Sequence, residues 1–199
     1  MAQHRMAQHK EIEIKFWIED LKALERKLRS SGFRRVTPRT HEYNTLYDLP
    51  GRRLRKRGEL LRLRRYGKVW TLTHKAKGKK GPYKSRVETE TQLADGKTMA
   101  AILQTLGFQP TFVYEKFRAE WSDGAGQVVL DQTPLGNIAE IEGSSTWIDR
   151  TARKLGIDKS AHMTSTYAEL FLQWKRQTNS RATEMTFRAL DPNCFPDPS

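Results

Sequence analysis

The chain has 199 residues, of which 37% are hydrophobic, and this size and composition predict one globular domain and exclude a wholly disordered chain. A single cysteine excludes an intrachain disulfide and a cysteine-based zinc site, and no apolar run is long enough to span a membrane, so we expect a cytoplasmic protein. An excess of 36 Lys and Arg over 23 Asp and Glu gives a net charge of +13, which predicts an anionic partner.

The amino-terminal half is predicted to contain four or more strands and one helix. Residues 1–9 are expected to be a flexible leader, in which MAQH occurs twice. The elements that follow, in chain order, are a strand at 11–17, a helix at 19–31, strand character at 43–47, and a hairpin of 59–66 and 69–77 that turns at Gly67-Lys68. The strands are recognised by alternation of charged and apolar residues, and the helix by leucines three and four residues apart.

The remaining elements complete a sheet with flanking helices. They are a loop at 78–84, a strand at 85–93, a helix at 96–106, a hairpin of 112–122 and 127–133, a strand at 138–142, and helices at 146–155 and 164–176. Residues 177–199 are predicted to be a disordered tail outside the domain. About eight strands with intervening helices predict an α+β fold with a mainly antiparallel sheet, closed or nearly closed into a barrel.

Several of these strands carry one strongly charged face, because alternate residues of a strand point to the same side. In the first strand this face holds Glu11, Glu13 and Lys15, with Ile12 and Ile14 on the other side. The charged residues at matching positions of later strands are Arg62, Arg64, Lys75, Lys77, Arg86, Glu88, Glu90, Lys116, Arg118, Glu120, Glu140 and Glu142. Each face taken alone suits a solvated surface. Their combination of acidic and basic groups favours a lumen.

A lumen of this kind has a direct chemical use. Arg and Lys bind phosphate oxygens, and grouped carboxylates hold hard cations such as Mg²⁺ or Mn²⁺. A complex of a metal with a polyphosphate needs both groups. The sequence contains neither a Walker loop nor a GxGxxG motif, so side chains would have to bind the phosphates.

The order of these charged motifs resembles the CYTH family, or triphosphate tunnel metalloenzymes, which includes class IV adenylyl cyclases and thiamine triphosphatases. The resemblance begins with the ExExK run Glu11-Ile12-Glu13-Ile14-Lys15 and covers about residues 10–175, which places the tunnel domain at 10–176. Its further motifs are LRLR at 61–64, LTHK at 72–75, RVETE at 86–90, EKFR at 115–118, LD at 130–131, LG at 135–136, EIEG at 140–143 and STYAEL at 165–170. The resemblance implies an eight-stranded antiparallel β-barrel that encloses a tunnel, with flanking helices.

The resemblance also implies roles for individual residues. The implied metal ligands for Mg²⁺ or Mn²⁺ are Glu11, Glu13, Asp131, Glu140 and Glu142, supported by Glu88 and Glu90. The implied substrate-binding residues are Arg62, Arg64, Lys75, Arg86, Lys116 and Arg118, and the implied catalytic residues are Lys15, Arg64 and Lys75. The residues expected to lie in a solvated loop are Lys77, Lys79, Lys80 and Lys84, and those with a ring that could stack on a base are Tyr43, Tyr47 and Tyr66.

The implied substrate is a small molecule that carries a triphosphate. We expect a class IV adenylyl cyclase-type reaction, in which ATP gives cyclic AMP and pyrophosphate. The alternative is hydrolysis of inorganic or thiamine triphosphate. A hypothesis of another class is a nucleic-acid-binding protein that uses the basic residues 52–57. Membrane binding is not expected, and the oligomeric state, including a homodimer, stays open.

Overall fold

The fold is described by a computed structural model that covers residues 7–79 and 81–190. It contains eight strands. They are β1 (Ala7–Ile18), β2 (Arg34–Asp48), β3 (Leu60–Tyr66), β4 (Val69–Lys75), β5 (Lys84–Leu93), β6 (Gln109–Ser122), β7 (Gln127–Thr133) and β8 (Gly136–Glu142). The helices are α1 (Leu21–Ser30), α2 (Arg53–Arg57), α3 (Gly96–Thr105), α4 (Ser145–Leu155), α5 (Tyr167–Thr178) and α6 (Phe187–Leu190).

The eight strands form one closed antiparallel barrel in the order β1-β5-β4-β3-β2-β6-β7-β8. This confirms the α+β class and the barrel that the sequence predicted. Alternation explains how the barrel is filled, since one side of each strand faces inward and the other outward. In β1, for example, Ile14 and Phe16 point outward into an apolar core, whereas Glu13 and Lys15 point into the barrel.

The main core lies between the barrel and two helices outside it. The apolar sides of α1 and α4 cover the outer face of β1, with Leu28 and Ile148 fully buried against Ile14. Trp147 of α4 packs so closely on the β6–β7 and β8–α4 connections that a Cβ on Gly126 or Gly143 would lie 2.6 or 2.8 Å from its ring. These two positions therefore accept only glycine without a shift of the tryptophan.

The two chain ends differ from the sequence predictions. The leader was placed at residues 1–9, but β1 begins at Ala7 and pairs with β5 from that residue, because the β5 edge is available to it. Residues 1–6 lie outside the described residues. No helix among residues 7–79 and 81–190 combines the length and the apolar character needed to cross a membrane.

The predicted disordered tail is wrong for residues up to 190. Met185 is fully buried, its backbone N–H donates to Val113 at 3.0 Å, and it accepts from the Glu115 N–H at 3.1 Å. Phe187 lies against Phe117 with the ring centroids 5.6 Å apart. The segment packs because it covers the part of β6 that β7 does not reach. The rest of the predicted tail, 191–199, lies outside the described residues.

Candidate active site

The charged strand faces meet inside the barrel, where they line a cavity of about 210 Å³. The charged residues on its wall are Glu11, Glu13, Lys15, Arg62, Arg64, Lys75, Lys84, Arg86, Glu88, Glu90, Lys116, Arg118, Glu120, Glu140 and Glu142. Each predicted substrate-binding and catalytic residue is on this wall, as are the four predicted glutamate ligands. The interpretation of these faces as solvated surface is wrong, since Glu13, Lys15 and Lys116 are at most 2% exposed.

Carboxylates of β1 and β8 lie side by side because the strand register pairs Glu13 with Glu142 and Lys15 with Glu140. The Lys15 ammonium lies 2.7 Å from a Glu13 oxygen and 2.9 Å from a Glu140 oxygen. Burial disfavours its charge, but these two carboxylates outweigh burial and raise the pKa of Lys15 above its ordinary value. Lys15 is therefore a permanent cation that joins the two strands.

Lys75 and Lys84 bring two more ammonium groups to the β1 carboxylates. Lys75 lies 3.2 Å from Glu11 and also contacts Glu88. Lys84 contacts Glu13. These lysines neutralise much of the negative charge on this side of the tunnel.

The placement of Lys84 in a solvated loop was wrong. Lys84 begins β5, and its position there puts it on the same face as Arg86, which points into the tunnel. Lys77 and Lys79 are exposed, as predicted. Lys80 lies outside the described residues.

Glu142 differs from its neighbours because it forms no ion pair with a cation in the part of the chain that the structure describes. Burial, and then the charges of Glu11, Glu13 and Glu140, raise the pKa of Glu142 to about 7. Burial and the neighbouring Glu11 carboxyl likewise raise the pKa of Glu88 to about 7. This side of the tunnel thus holds more carboxylate charge than its lysines balance.

A divalent cation would relieve this excess. Within the described ranges, no three His, Cys, Asp or Glu side chains are already gathered as a metal-binding group. The donor chemistry nevertheless fits a hard cation, since carboxylate oxygens are its preferred ligands and Glu142 has no lysine partner. The residues that would hold the cation are Glu11, Glu13, Glu140 and Glu142.

Asp131 lies behind the wall of the cavity, where it is fully buried. Its two oxygens accept from the Arg118 guanidinium at 2.8 and 2.7 Å, and one of them also accepts from Lys116 at 3.0 Å. Both oxygens accept from cations, and so do those of Glu140, which contact Lys15 and Arg118. Asp131, however, lies outside the cavity wall, whereas Glu140 is part of it. This position differs from the metal-ligand role that the resemblance implied, and it makes Asp131 a support for two phosphate-binding candidates.

The arginines of β3 are oriented by hydroxyl groups of the neighbouring strand β4. Arg62 donates to Thr73 at 3.3 Å, and Arg64 donates to Thr71 at 3.2 Å. A second contact joins Arg64 to Glu90 at 3.2 Å. These contacts hold the two guanidinium groups in fixed positions on the cavity wall.

Glu42 is a buried carboxylate that the sequence analysis missed. It is fully buried on β2, 3.5 Å from Lys116, 3.8 Å from Arg118 and 3.9 Å from Arg64. Burial disfavours its charge, but Lys116, Arg118 and Arg64 lower the pKa of Glu42 below its ordinary range. Glu42 therefore offsets repulsion among these cations. The sequence carries a signal for it, since Glu42, Asn44 and Leu46 alternate along one face of β2, but the predicted strand began at residue 43 and left Glu42 out.

Tyr167 is the second residue without an assigned role. It begins α5, and its hydroxyl contacts Asp131 and lies 3.0 Å from a Glu140 oxygen. The Lys116 ammonium stands 4.4 Å from the centre of its ring. Burial and the two carboxylates raise the pKa of Tyr167 well above its usual value, so the hydroxyl keeps its proton. The STYAEL motif marked this tyrosine, but its contacts depend on how α5 packs on the barrel.

Comparison with known proteins gives the family. The model of the CYTH domain matches residues 9–167, which is most of the chain. A comparison with curated proteins gives no match.

Solved structures share the fold at low sequence identity. A proposed adenylate cyclase from Vibrio parahaemolyticus is 20% identical, with a TM-score of 0.71, over 85% of this chain and 99% of that one. A protein from Pyrococcus horikoshii is 24% identical, with a TM-score of 0.69, over 82% and 99%. A proposed adenylyl cyclase from Hippeastrum, described as having a dominant triphosphatase activity, is 17% identical, with a TM-score of 0.59, over 82% and 96%. The match of the family model across residues 9–167, together with the closed eight-stranded barrel, shows that this chain belongs to the CYTH family of enzymes, whose triphosphate tunnel members are in general metal-dependent.

Proposed function

We propose that this protein is a metal-dependent enzyme that binds a triphosphate in the barrel and cleaves one of its phosphoanhydride bonds. The observation that carries the proposal is that guanidinium groups and carboxylates lie on opposite sides of the cavity wall. Arg62 and Arg64 on β3 lie across the barrel from Glu140 and Glu142 on β8, because four steps separate these strands in the ring of eight. A phosphate chain between them would meet guanidinium groups on one side and a cation held by carboxylates on the other.

The side chains divide the work of binding. The arginine forks suit pairs of phosphate oxygens, and the ammonium groups of Lys75 and Lys116 add compact charges. Asp131 keeps Arg118 and Lys116 in position. Bound Mg²⁺ or Mn²⁺ would neutralise phosphate charge and polarise phosphorus. We assign catalytic roles to Lys15, Arg64 and Lys75, whose charges would stabilise the negative charge that develops as the bond breaks.

Hydrolysis is the reaction that the geometry supports best. A water attacks the terminal phosphorus, and a shorter phosphate leaves. Two of the three tyrosines considered for base stacking do not face the tunnel, since Tyr47 packs in an outer core and Tyr43 shares its side of β2. The cavity wall carries two other tyrosines, Tyr114 and Tyr167, but their rings are already stacked on each other with the centroids 5.6 Å apart. The wall thus offers more charge for a triphosphate than free aromatic surface for a nucleobase. The triphosphatase activity described for the Hippeastrum protein agrees with this choice.

Cyclisation of ATP is the second candidate, and Tyr66 favours it. In this reaction the ribose 3′-hydroxyl attacks the α-phosphorus and pyrophosphate leaves. The Tyr66 hydroxyl is buried and has no hydrogen-bond partner within residues 7–79 and 81–190, and the Arg64 guanidinium lies 5.9 Å from the centre of its ring. Tyr66 could therefore contact a nucleoside next to a phosphate-binding arginine. The resemblance of EIEIKF and LGNIAEIEG to the class IV cyclases supports the same reaction.

A function limited to nucleic-acid binding is less well supported. The paired charges of the strands point into the barrel, where a duplex cannot reach them, and carboxylates accompany the cations. We therefore place the substrate among small triphosphates.

A product assay tests the proposal. The purified protein is incubated with tripolyphosphate, ATP or thiamine triphosphate, each with Mg²⁺ or Mn²⁺ and each with a chelator. We expect metal-dependent release of phosphate from tripolyphosphate. Cyclic AMP as the main product would move the assignment to the cyclase, and no turnover of any of the three would overturn the proposed function.

A further inference from the structure

A group of exposed cations lies outside the tunnel at one end of the barrel. We call it the basic rim. It consists of Arg52, Arg53, Arg55, Lys56, Arg57, Lys77 and Lys79. Among these seven rim residues, only Arg57 forms an ion pair with a carboxylate of the described chain, with Glu59 at 2.9 Å. The rim therefore presents a dense positive charge that the protein does not neutralise itself.

The rim belongs to an ordered loop. The Asp48 carboxylate accepts hydrogen bonds from the backbone N–H groups of Leu49, Leu54 and Arg55 at 2.7 to 3.0 Å. Leu54 is buried beneath the loop. Arg52 has a φ of 56°, a left-handed conformation that is costly for a residue other than glycine. Holding several like charges in a fixed loop is unfavourable, and an anion bound there would offset this repulsion.

The rim adjoins the tunnel. Gly58, which ends the α2 segment, comes two residues before Leu60 on the cavity wall, and Lys77 comes two residues after Lys75. Two residues of extended chain span about 7 Å. A Cβ on Gly58 would lie 3.1 Å from the Lys77 side chain, so Lys77 lies next to the residue that follows Arg57. Both belong to connections at the same end of the antiparallel barrel, the β2–β3 and β4–β5 connections.

The composition of the rim indicates which anion it fits. No aromatic residue occurs in 51–58 or 76–79, so these segments offer no ring on which a base could stack. A surface that offers cations and no aromatic ring binds phosphate groups but makes no stacking contact with a base. A linear inorganic polyphosphate meets this description, because each of its units carries charge and none carries a base.

We infer that the basic rim binds the part of a linear polyphosphate that extends out of the tunnel, so that the protein accepts phosphate chains longer than three units. The inference rests on the proposed function, since the tunnel must hold the end of the same chain. Three phosphates would fill the charged cavity without the rim. Longer chains would make further contacts outside it.

Charge removal at the rim tests this inference. The rim variant R53Q/R55Q/K56Q spares Arg52, with its unusual backbone, and Arg57, with its ion pair. The control variant K22Q/K68Q/K97Q removes the same charge from α1 and from the opposite end of the barrel, where the β3–β4 turn and the start of α3 lie. Binding of a long polyphosphate, of tripolyphosphate and of a single-stranded RNA without a triphosphate is measured between about 50 and 200 mM salt.

For long polyphosphate, we expect the slope of log affinity against log salt to fall by about 2 in the rim variant, because each lost phosphate contact contributes about 0.7. The control variant should keep the wild-type slope. Tripolyphosphate affinity at about 200 mM salt should stay within about twofold in both variants, because a chain of three phosphates lies inside the tunnel and makes no direct contact with the substituted side chains, and salt weakens what remains of their long-range attraction.

Three results would overturn the inference. They are an unchanged slope in the rim variant, an equal fall in the control variant, and tighter binding of RNA than of polyphosphate through the same residues. Failure of the wild-type protein to bind tripolyphosphate would be a different result, because it would contradict the tunnel function itself.

Discussion

The hydroxyl of Tyr167 donates a hydrogen bond to the carboxylate of Asp131, and this contact joins α5 to the wall of the tunnel. The same carboxylate holds the Arg118 guanidinium through both of its oxygens. A helix outside the barrel therefore helps to fix the direction of a phosphate-binding candidate.

Tyr167→Phe tests this arrangement. Loss of the hydroxyl leaves Asp131 freer to move, so the affinity for tripolyphosphate should fall severalfold and the free energy of unfolding by about 1 kcal/mol. Calorimetric titration and urea denaturation measure the two effects. Tyr83→Phe is the control, since Tyr83 donates to Asp149 at 2.7 Å away from the charged wall. Equal losses of affinity in both variants would contradict the positioning role.

Glu13→Gln tests the metal site. The substitution keeps the shape of the side chain but removes a charged ligand, so turnover should fall by at least about tenfold and partly recover at high metal concentration. Turnover is measured across a titration of Mg²⁺ and of Mn²⁺. Glu25→Gln on α1 is the control. An unchanged metal requirement in Glu13→Gln would remove Glu13 from the set of ligands.

The carboxyl of Glu142 predicts a fall in stability as the pH rises. Its pKa is about 7 in the folded protein, against an ordinary value of 4.5, so between these values the folded protein keeps a proton that the unfolded chain has lost. The contribution of this proton to the free energy of unfolding is therefore complete below about pH 4.5 and is lost as the pH rises through 7. The free energy of unfolding falls over this range by at most about 1.4 kcal/mol per pH unit.

Urea denaturation of metal-free protein at several values between about pH 5 and pH 8 measures this fall. The decline should be less steep in Glu142→Gln, which has no proton to lose. The pKa of Glu88, also raised to about 7, adds a decline that Glu142→Gln leaves in place. Identical slopes in the wild type and in Glu142→Gln would contradict the prediction.

Arg64→Lys tests the need for a guanidinium group. Lysine keeps the charge but lacks the planar fork whose separate nitrogens contact Thr71 and Glu90 and leave a pair of donors for phosphate, so the KM for tripolyphosphate should rise by about tenfold or more. Steady-state kinetics measures it. Lys79→Ala, an exposed change, should leave the KM for this short substrate within about twofold. A larger rise in KM from Lys79→Ala than from Arg64→Lys would contradict the placement of Arg64 in the binding site and of Lys79 in a solvated loop.

Met185→Ala tests whether the carboxyl-terminal segment is part of the domain. Removal of a fully buried methionine side chain should lower the free energy of unfolding by about 2 to 5 kcal/mol. Glu184→Ala, at an exposed neighbour, should change it by no more than about 0.5 kcal/mol. Thermal or urea denaturation measures both. Equal stability in the two variants would show that the segment contributes nothing to the fold.

The sequence alone predicted the barrel and most of its wall. Alternation along β1 is sufficient to place Glu11, Glu13 and Lys15 on one face, because the side-chain period of a strand is two whatever its neighbours are. The order of the charged motifs then gave the family, which the match over residues 9–167 confirms. These features are local, so they can be read without knowing which strands pair.

Only the tertiary structure decided which charged groups meet. Glu42 faces Lys116 and Arg118 because β2 pairs with β6, and Tyr167 reaches Asp131 because α5 packs over the barrel. Met185 is buried for the same kind of reason, since β6 has an edge that the carboxyl-terminal segment covers. Contacts between residues that are distant in the chain depend on strand order and register, and the sequence pattern of a single strand contains neither.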